Sequence, residues 1–213
     1  MTDELEILKS DWKKRHTELP KLSYNEIYKM LFKKSTTIVK WIFIISIAEL
    51  LFWGALSLLT PKSTYEILEV LKLSKYLWIT NIIHYTIFIG FIVLFFKNYS
   101  AISVTDNTKQ LMANILKVRK TVRYFVIYNV VAFILLTTIL NIFYFTHSDL
   151  LFEYLSKTVV IENKDAFMNA FLLLQIGVSL VMIVLIMLFY RIVYGILLKR
   201  LKKNYDELAK IEV

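Results

Sequence analysis

Four long apolar runs dominate this chain and leave it few folds to choose from. They cover about residues 41–59, 77–96, 124–145 and 167–190. Each supplies close to the ~20 residues that a helix rising about 1.5 Å per residue needs to cross ~30 Å of hydrocarbon. A soluble four-helix bundle would alternate polar and apolar faces at the helical period, whereas these runs are apolar on every side. Hydrophobic residues make up 57% of the 213, with only four glycines and two prolines to break helices, which is too apolar for a soluble domain of this length. The expectation is an all-α integral membrane four-helix bundle.

The charge pattern orients it. Nine of the 26 Lys and Arg residues precede Trp41, six lie between Lys97 and Arg123, and six follow from Arg191 onward; the other two connections hold three and two. By the positive-inside rule the basic side is cytoplasmic, so both termini are expected there. The formal charge of +9 is then accounted for by topology and by an anionic inner leaflet, without nucleic acid. The charged first forty residues contain no short apolar core ending in small residues, so no cleaved signal peptide is expected. With no cysteine in the chain, disulfides, thiolate metal ligands and a cysteine nucleophile are excluded. The expected organisation is a cytoplasmic or interfacial amphipathic helical segment at 1–37, a four-span bundle at 38–198 and a cytoplasmic helical tail at 199–213.

Amphipathic segments flank the spans. Leu5, Leu8 and Trp12 recur at helical spacing near the start, with acids early and bases late, as a helix dipole favours. After the break at Pro20, Ser23 and Glu26 form a capping box, with Leu22 placed to staple onto Ile27, so a helix should start at Tyr24 and run without Gly or Pro into the first span. Its early part sets Ile27 and Leu31 on one face and Lys29 and Lys33 on another, as in a helix resting on the inner leaflet or a partner. Ser63 and Glu66 suggest a second capped helix on the outer side. Leu111, Ile115, Val118 and Val122 lead into the third span, and Leu197, Leu201 and Leu208 carry a seam past the fourth. The order of basic helix, span, short outer segment and span thus occurs twice.

Polar residues inside the spans are the candidate site. Centring each span on its apolar run puts Glu49 near the midplane, with His84 and Thr138 about 4 Å outward, Gln175 about 6 Å, and Asn81 and Asn141 about 8 to 10 Å. Since a buried charge costs at least ~2.5 kcal/mol in the bilayer, such groups should turn inward and converge. Glu49 is expected either to be kept neutral and to bond His84, Gln175 or Thr138 as interhelical glue, or to share a proton or cation with His84 in a transport path.

Catalytic motifs are lacking. The chain has no Gly-rich phosphate loop, no H-E-x-x-H and no G-x-S-x-G. Its three histidines, His16, His84 and His147, are expected at three different depths, so neither a metal nor another cofactor is expected. The segment DWKKRHTELPKLSYNEIYKMLFKKSTTIVKWIFIISIAELLFW resembles the opening of an uncharacterised family of four-span inner-membrane proteins of Bacteroidota. The resemblance implies a bacterial inner membrane and supplies no catalytic residue. Some members bear the label beta-carotene monooxygenase, which would require an iron-binding set of histidines that this chain lacks.

The preferred reading is a non-enzymatic membrane interaction or regulatory protein. Leu5, Leu8, Trp12, Ile27, Leu31, Lys29 and Lys33 would dock the inner leaflet or a cytoplasmic protein partner, and a second copy of the chain is a further candidate partner. The alternative is a small ion- or proton-coupled carrier using Glu49 and His84. A membrane enzyme acting on lipid or carotenoid is third.

Overall fold

The structure is a computed structural model that describes Glu6, Lys9 and residues 23–105, 107–157, 161 and 163–211. Among these residues there are six helices and no strand: α1 (Tyr24–Leu58), α2 (Lys62–Val70), α3 (Ser74–Ser103), α4 (Thr108–Thr146), α5 (Ser148–Leu155) and α6 (Lys164–Ile211). Four of them, α1, α3, α4 and α6, are long and apolar enough to cross a membrane, and in their most apolar windows only 6–17% of residues are buried inside the protein. The remaining apolar side chains face outward, as lipid-facing residues must. The protein is a multi-pass membrane protein with an all-helical fold.

The capping box forms as expected. Ser23 Oγ accepts from the Glu26 amide at 3.3 Å, and the Ser23 amide donates to the Glu26 carboxylate at 2.7 Å. That backbone bond, with a second from the Ser23 hydroxyl, holds the Glu26 carboxyl below the usual carboxylate range. Ser63 does not act as a cap. Helix α2 begins two residues earlier than such a cap would start it, at Lys62 after an N-cap Pro61 in extended conformation, with no side-chain cap bond.

The long helices pack in the order α1, α3, α4, α6 around a ring, each antiparallel to its neighbours, with α1 and α4 touching only across the diagonal. The short helices α2 and α5 close the end of the bundle remote from Tyr24 and Ile211, called outer after the orientation expected from charge, where the Tyr154 hydroxyl donates to Glu66 at 2.7 Å. α5 was not expected from sequence, where this stretch read only as a short outer segment. Long helix, short outer helix, long helix therefore occurs twice.

Buried positions step along the long helices by three and four. On α1 they are Leu31, Ser35, Ile38, Ile42, Ser46 and Glu49, with Val39 buried beside Ile38, and on α4 Thr108, Leu111, Ile115, Val118, Val122, Phe125 and Asn129. On α6, Tyr190, Tyr194, Leu201, Asn204 and Leu208 continue the pattern. This is the spacing of a left-handed coiled-coil seam. α1, α4 and α6 each extend well beyond ~30 Å of hydrocarbon, and the surplus lies at the basic end, where the core is densest.

Candidate functional site

Glu49 lies on the inward seam of α1 and is 5% exposed. Each of its carboxyl oxygens accepts from one phenol. Tyr190 donates to Oε1 in a short contact, and Tyr194 donates to Oε2 at 3.0 Å. The two tyrosines are four residues apart on α6, so both hydroxyls project from one face of that helix. Phe125 from α4 packs against both rings, with centroids 6.1 and 5.6 Å away. Trp53, one turn further along α1, stands beside the carboxyl as another polar neighbour.

These are not the partners expected from sequence. His84, Gln175 and Thr138 make no hydrogen bond to Glu49, and the reason is register. Stepping from Ser35 to Glu49 along α1, and from Asn204 back to Tyr190 along α6, covers the same fourteen residues, about 21 Å at the helical rise. Asn204 Nδ2 donates to Ser35 Oγ at 3.0 Å, so both pairs follow a single antiparallel alignment. Centring the spans on their apolar runs put Tyr190 at a membrane edge. The packing seam instead slides α6 outward, and Tyr190 meets Glu49.

The rest of the expected cluster divides into two further groups. His84 stacks on Tyr128 at 5.7 Å and 16°, and the Tyr128 hydroxyl lies 3.2 Å from its Nδ1. Both border a cavity of about 420 Å³ that is also lined by Trp53, Asn81, Asn129 and Tyr190. Asn129 donates to the Phe125 carbonyl at 2.8 Å. Nearer the outer surface, Asn141 donates to the Thr137 carbonyl at 2.8 Å and to Ser179 at 3.1 Å, and Thr138 borders the same recess. The Asn141 Oδ1 is the buried side-chain atom without a partner among the described residues. Gln175 contributes its backbone carbonyl, which accepts from Ser179 at 2.8 Å.

Sequence reasoning missed Tyr190, Tyr194, Tyr128, Asn129 and Ser179. The i, i+4 tyrosines stand in phase with Leu201 and Leu208, the seam already visible in the tail, and that phase was the available signal.

The surface residues also sort differently. Lys29 and Lys33 are exposed, whereas Leu31 is 2% exposed inside the core and Ile27 packs against that core. Leu31 therefore cannot anchor a leaflet or partner, because the seam that buries Ile38 and Ile42 already uses it. Leu5, Leu8 and Trp12 lie outside the described residues.

Chemically, the Glu49 site holds two helices together: each carboxyl oxygen accepts from a phenol of α6. Among the described residues, no three of His, Asp and Glu stand close enough to hold a metal ion.

A family model described as "Domain of unknown function (DUF8845)" matches residues 25–213. No curated protein and no solved structure matches the chain.

Proposed function

The chain belongs to the DUF8845 family, and from that premise we propose that it is a non-enzymatic interaction or regulatory protein of a bacterial inner membrane, with both ends in the cytoplasm. The carrying observation is where the core lies. Leu111, Ile115, Val118, Val122, Leu201 and Leu208 are all 1% exposed or less, and all belong to the basic end rather than to the outer half. A rigid helical platform of this kind suits a protein that presents a surface, here its N-terminal segment and the exposed Lys29 face, to a partner or to the inner leaflet.

The test is site-directed photocrosslinking in cells of the family's host. Probes at Leu5, Trp12 and Lys29 should give one discrete protein adduct, and a probe at the outer Tyr65 should not. Adducts to lipid alone would assign the face to the leaflet. Absence of any adduct from the three inner probes, or the same adduct from Tyr65, would sink the reading. Cysteines placed at Ser63 and Lys157 should react with an impermeant reagent from outside intact cells, and one at Lys203 should not.

A second reading, the small carrier, is favoured by one contact. Tyr190 both bonds Glu49 and borders the cavity containing His84, so a phenol links the two groups. Glu49→Gln separates the readings: glue survives it, since the amide still bonds, whereas a proton path stops. A pH-dependent flux in proteoliposomes that disappears in E49Q would displace the regulatory reading.

A further inference from the structure

At the inner end of the bundle, α1 and α6 border an open recess of about 580 Å³. Lys33 and Lys34 enter it from α1, and Arg200 and Lys203 from α6, while buried Asn204 forms part of its floor. Among the described residues, no acidic side chain lines it. The nearest described ion pair is the Lys203 ammonium with Glu207 at 3.8 Å, and among the described residues Lys33, Lys34 and Arg200 have no ion-pair partner. Four cations facing one recess repel one another unless an anion joins them.

The recess also has a neighbour. On α1 the stripe Met30, Lys34 and Thr37 continues through Trp41 to Ile45, Ala48 and Phe52. On α6, Lys203 and Arg200 continue through Ile196 to Val193, Phe189 and Leu185. The upper parts of both stripes line an apolar groove of about 570 Å³. Basic pocket and apolar groove are thus stacked on one interhelical seam, with Arg200 seven positions from Val193 on α6 and Lys34 eleven from Ile45 on α1, or ~10 to 17 Å at the helical rise. That is the step from a headgroup phosphate to the acyl region of a leaflet, and long lysine stems can span part of it.

We infer that this seam is a binding site for an anionic phospholipid, with the phosphate headgroup held by Lys33, Lys34, Arg200 and Lys203 and an acyl chain lying in the groove past Ala48. A free phosphate shares the headgroup chemistry but leaves the groove unused. The cations point to a headgroup carrying more than one negative charge, since each Lys or Arg at a membrane surface contributes about 1 kcal/mol of attraction, roughly a fivefold change in binding.

The experiment is native mass spectrometry of the full chain in micelles with added phosphatidylglycerol, diphosphatidylglycerol or phosphatidylcholine, or with inorganic phosphate. The wild type should retain the anionic lipids, diphosphatidylglycerol most, at least about tenfold over phosphatidylcholine. The K33Q/K34Q/R200Q/K203Q variant should lose that preference, whereas K109Q/K117Q/R119Q/K120Q, which removes the same charge elsewhere, should keep it. Ala48→Phe, which fills the groove, should weaken lipid retention by about threefold or more in a protein whose unfolding temperature stays unchanged.

Equal losses in the two quadruple variants would overturn the site in favour of diffuse attraction. Full displacement of lipid by equimolar phosphate, or retention unaffected by A48F, would overturn the lipid as occupant. Binding in micelles has no sidedness, so its failure is distinct from failure of the cytoplasmic orientation, which the cysteine labelling measures.

Discussion

The inner and outer halves of the bundle are built from the same four helices and packed by different rules. In the inner half the seam is filled by aliphatic residues at heptad spacing, with Ile102, Leu111, Ile115, Val122 and Leu201 all at 0% exposure. In the outer half the helices border a cavity of about 420 Å³ lined in part by Asn81, His84 and Tyr128, and fewer side chains are buried between the spans. The difference follows from the solvent. Where the helices stand in water, burying Leu and Ile gains about 25 cal/mol per Å² of apolar surface. Where lipid surrounds them, an apolar side chain gains little by leaving acyl chains for protein, so less of it is buried there. Glu49 and its two tyrosines lie where one regime gives way to the other.

The comparison breaks most visibly if a leucine counts the same in both halves. Leu111→Ala or Ile115→Ala should destabilise the protein by about 2 to 5 kcal/mol through lost burial and the cavity left behind. Leu135→Ala, at 56% exposure on the lipid side of the same helix, should stay within about 0.5 kcal/mol. Denaturant unfolding in mixed micelles checks this, and equal effects would mean that the inner core is not the principal support.

Next in size is the boundary itself. Glu49→Ala leaves the Tyr190 and Tyr194 hydroxyls unpaired and should cost about 1 to 4 kcal/mol, given 0.6 to 2 for each interhelical bond in a membrane. Glu49→Gln should retain about half of that. In the Tyr190→Phe, Tyr194→Phe background, a change at Glu49 should be far from additive with the tyrosine changes. Additive effects in a double-mutant cycle would show that the contact carries no coupling.

How much of this was legible in the sequence also divides along the same boundary. The inner helices could be read because Leu111, Ile115, Val118 and Val122 repeat at a period that only a helix can bury. The capping box at Ser23 was equally local. Partner choice in the membrane could not be read that way. Apolar runs mark which residues can sit in lipid, but they say nothing about how far α6 slides along α1. That displacement is fixed by contacts such as Asn204 with Ser35, over 160 positions away in the chain, and it decides that Glu49 meets Tyr190 rather than His84. Leu31 shows the converse: its amphipathic spacing was correctly seen, but the same pattern serves a leaflet and a coiled-coil seam.

In the outer half, Lys72 adopts the left-handed conformation (φ 57°) just after α2. Its neighbour Leu73 donates back to the Leu68 carbonyl at 2.8 Å, the closing bond of a helix end where glycine is usual. Lys72→Gly should therefore raise stability by up to about 1 kcal/mol by relieving the left-handed strain. A loss of stability would mean that the lysine side chain supports the outer cap in another way.

The smallest effect is expected at the outer junction of α5 and α6, where the Lys164 ammonium meets the Asp149 carboxylate at 2.5 Å. Lys164 holds the Asp149 carboxyl below its ordinary range, first by hydrogen bonding and then by charge, and Asp149 in turn holds the lysine above its own. The signs follow by linkage. For the depressed carboxyl, the contribution is present above the unfolded aspartate value and fades as pH falls through the folded one. For the raised lysine, it is present below the unfolded lysine value and fades as pH rises through the folded one. The helix dipole at the first turn of α5 favours the same carboxylate and is lost with it. Stability measured for wild type and Asp149→Asn should therefore differ slightly at pH 7, with the gap closing as pH falls through the lowered carboxyl value and the wild-type group protonates. Because both groups are exposed to water and salt, the gap at pH 7 should also shrink in 1 M NaCl. A gap unchanged by acid would show that the asparagine acts through packing and that this junction owes nothing to its charges.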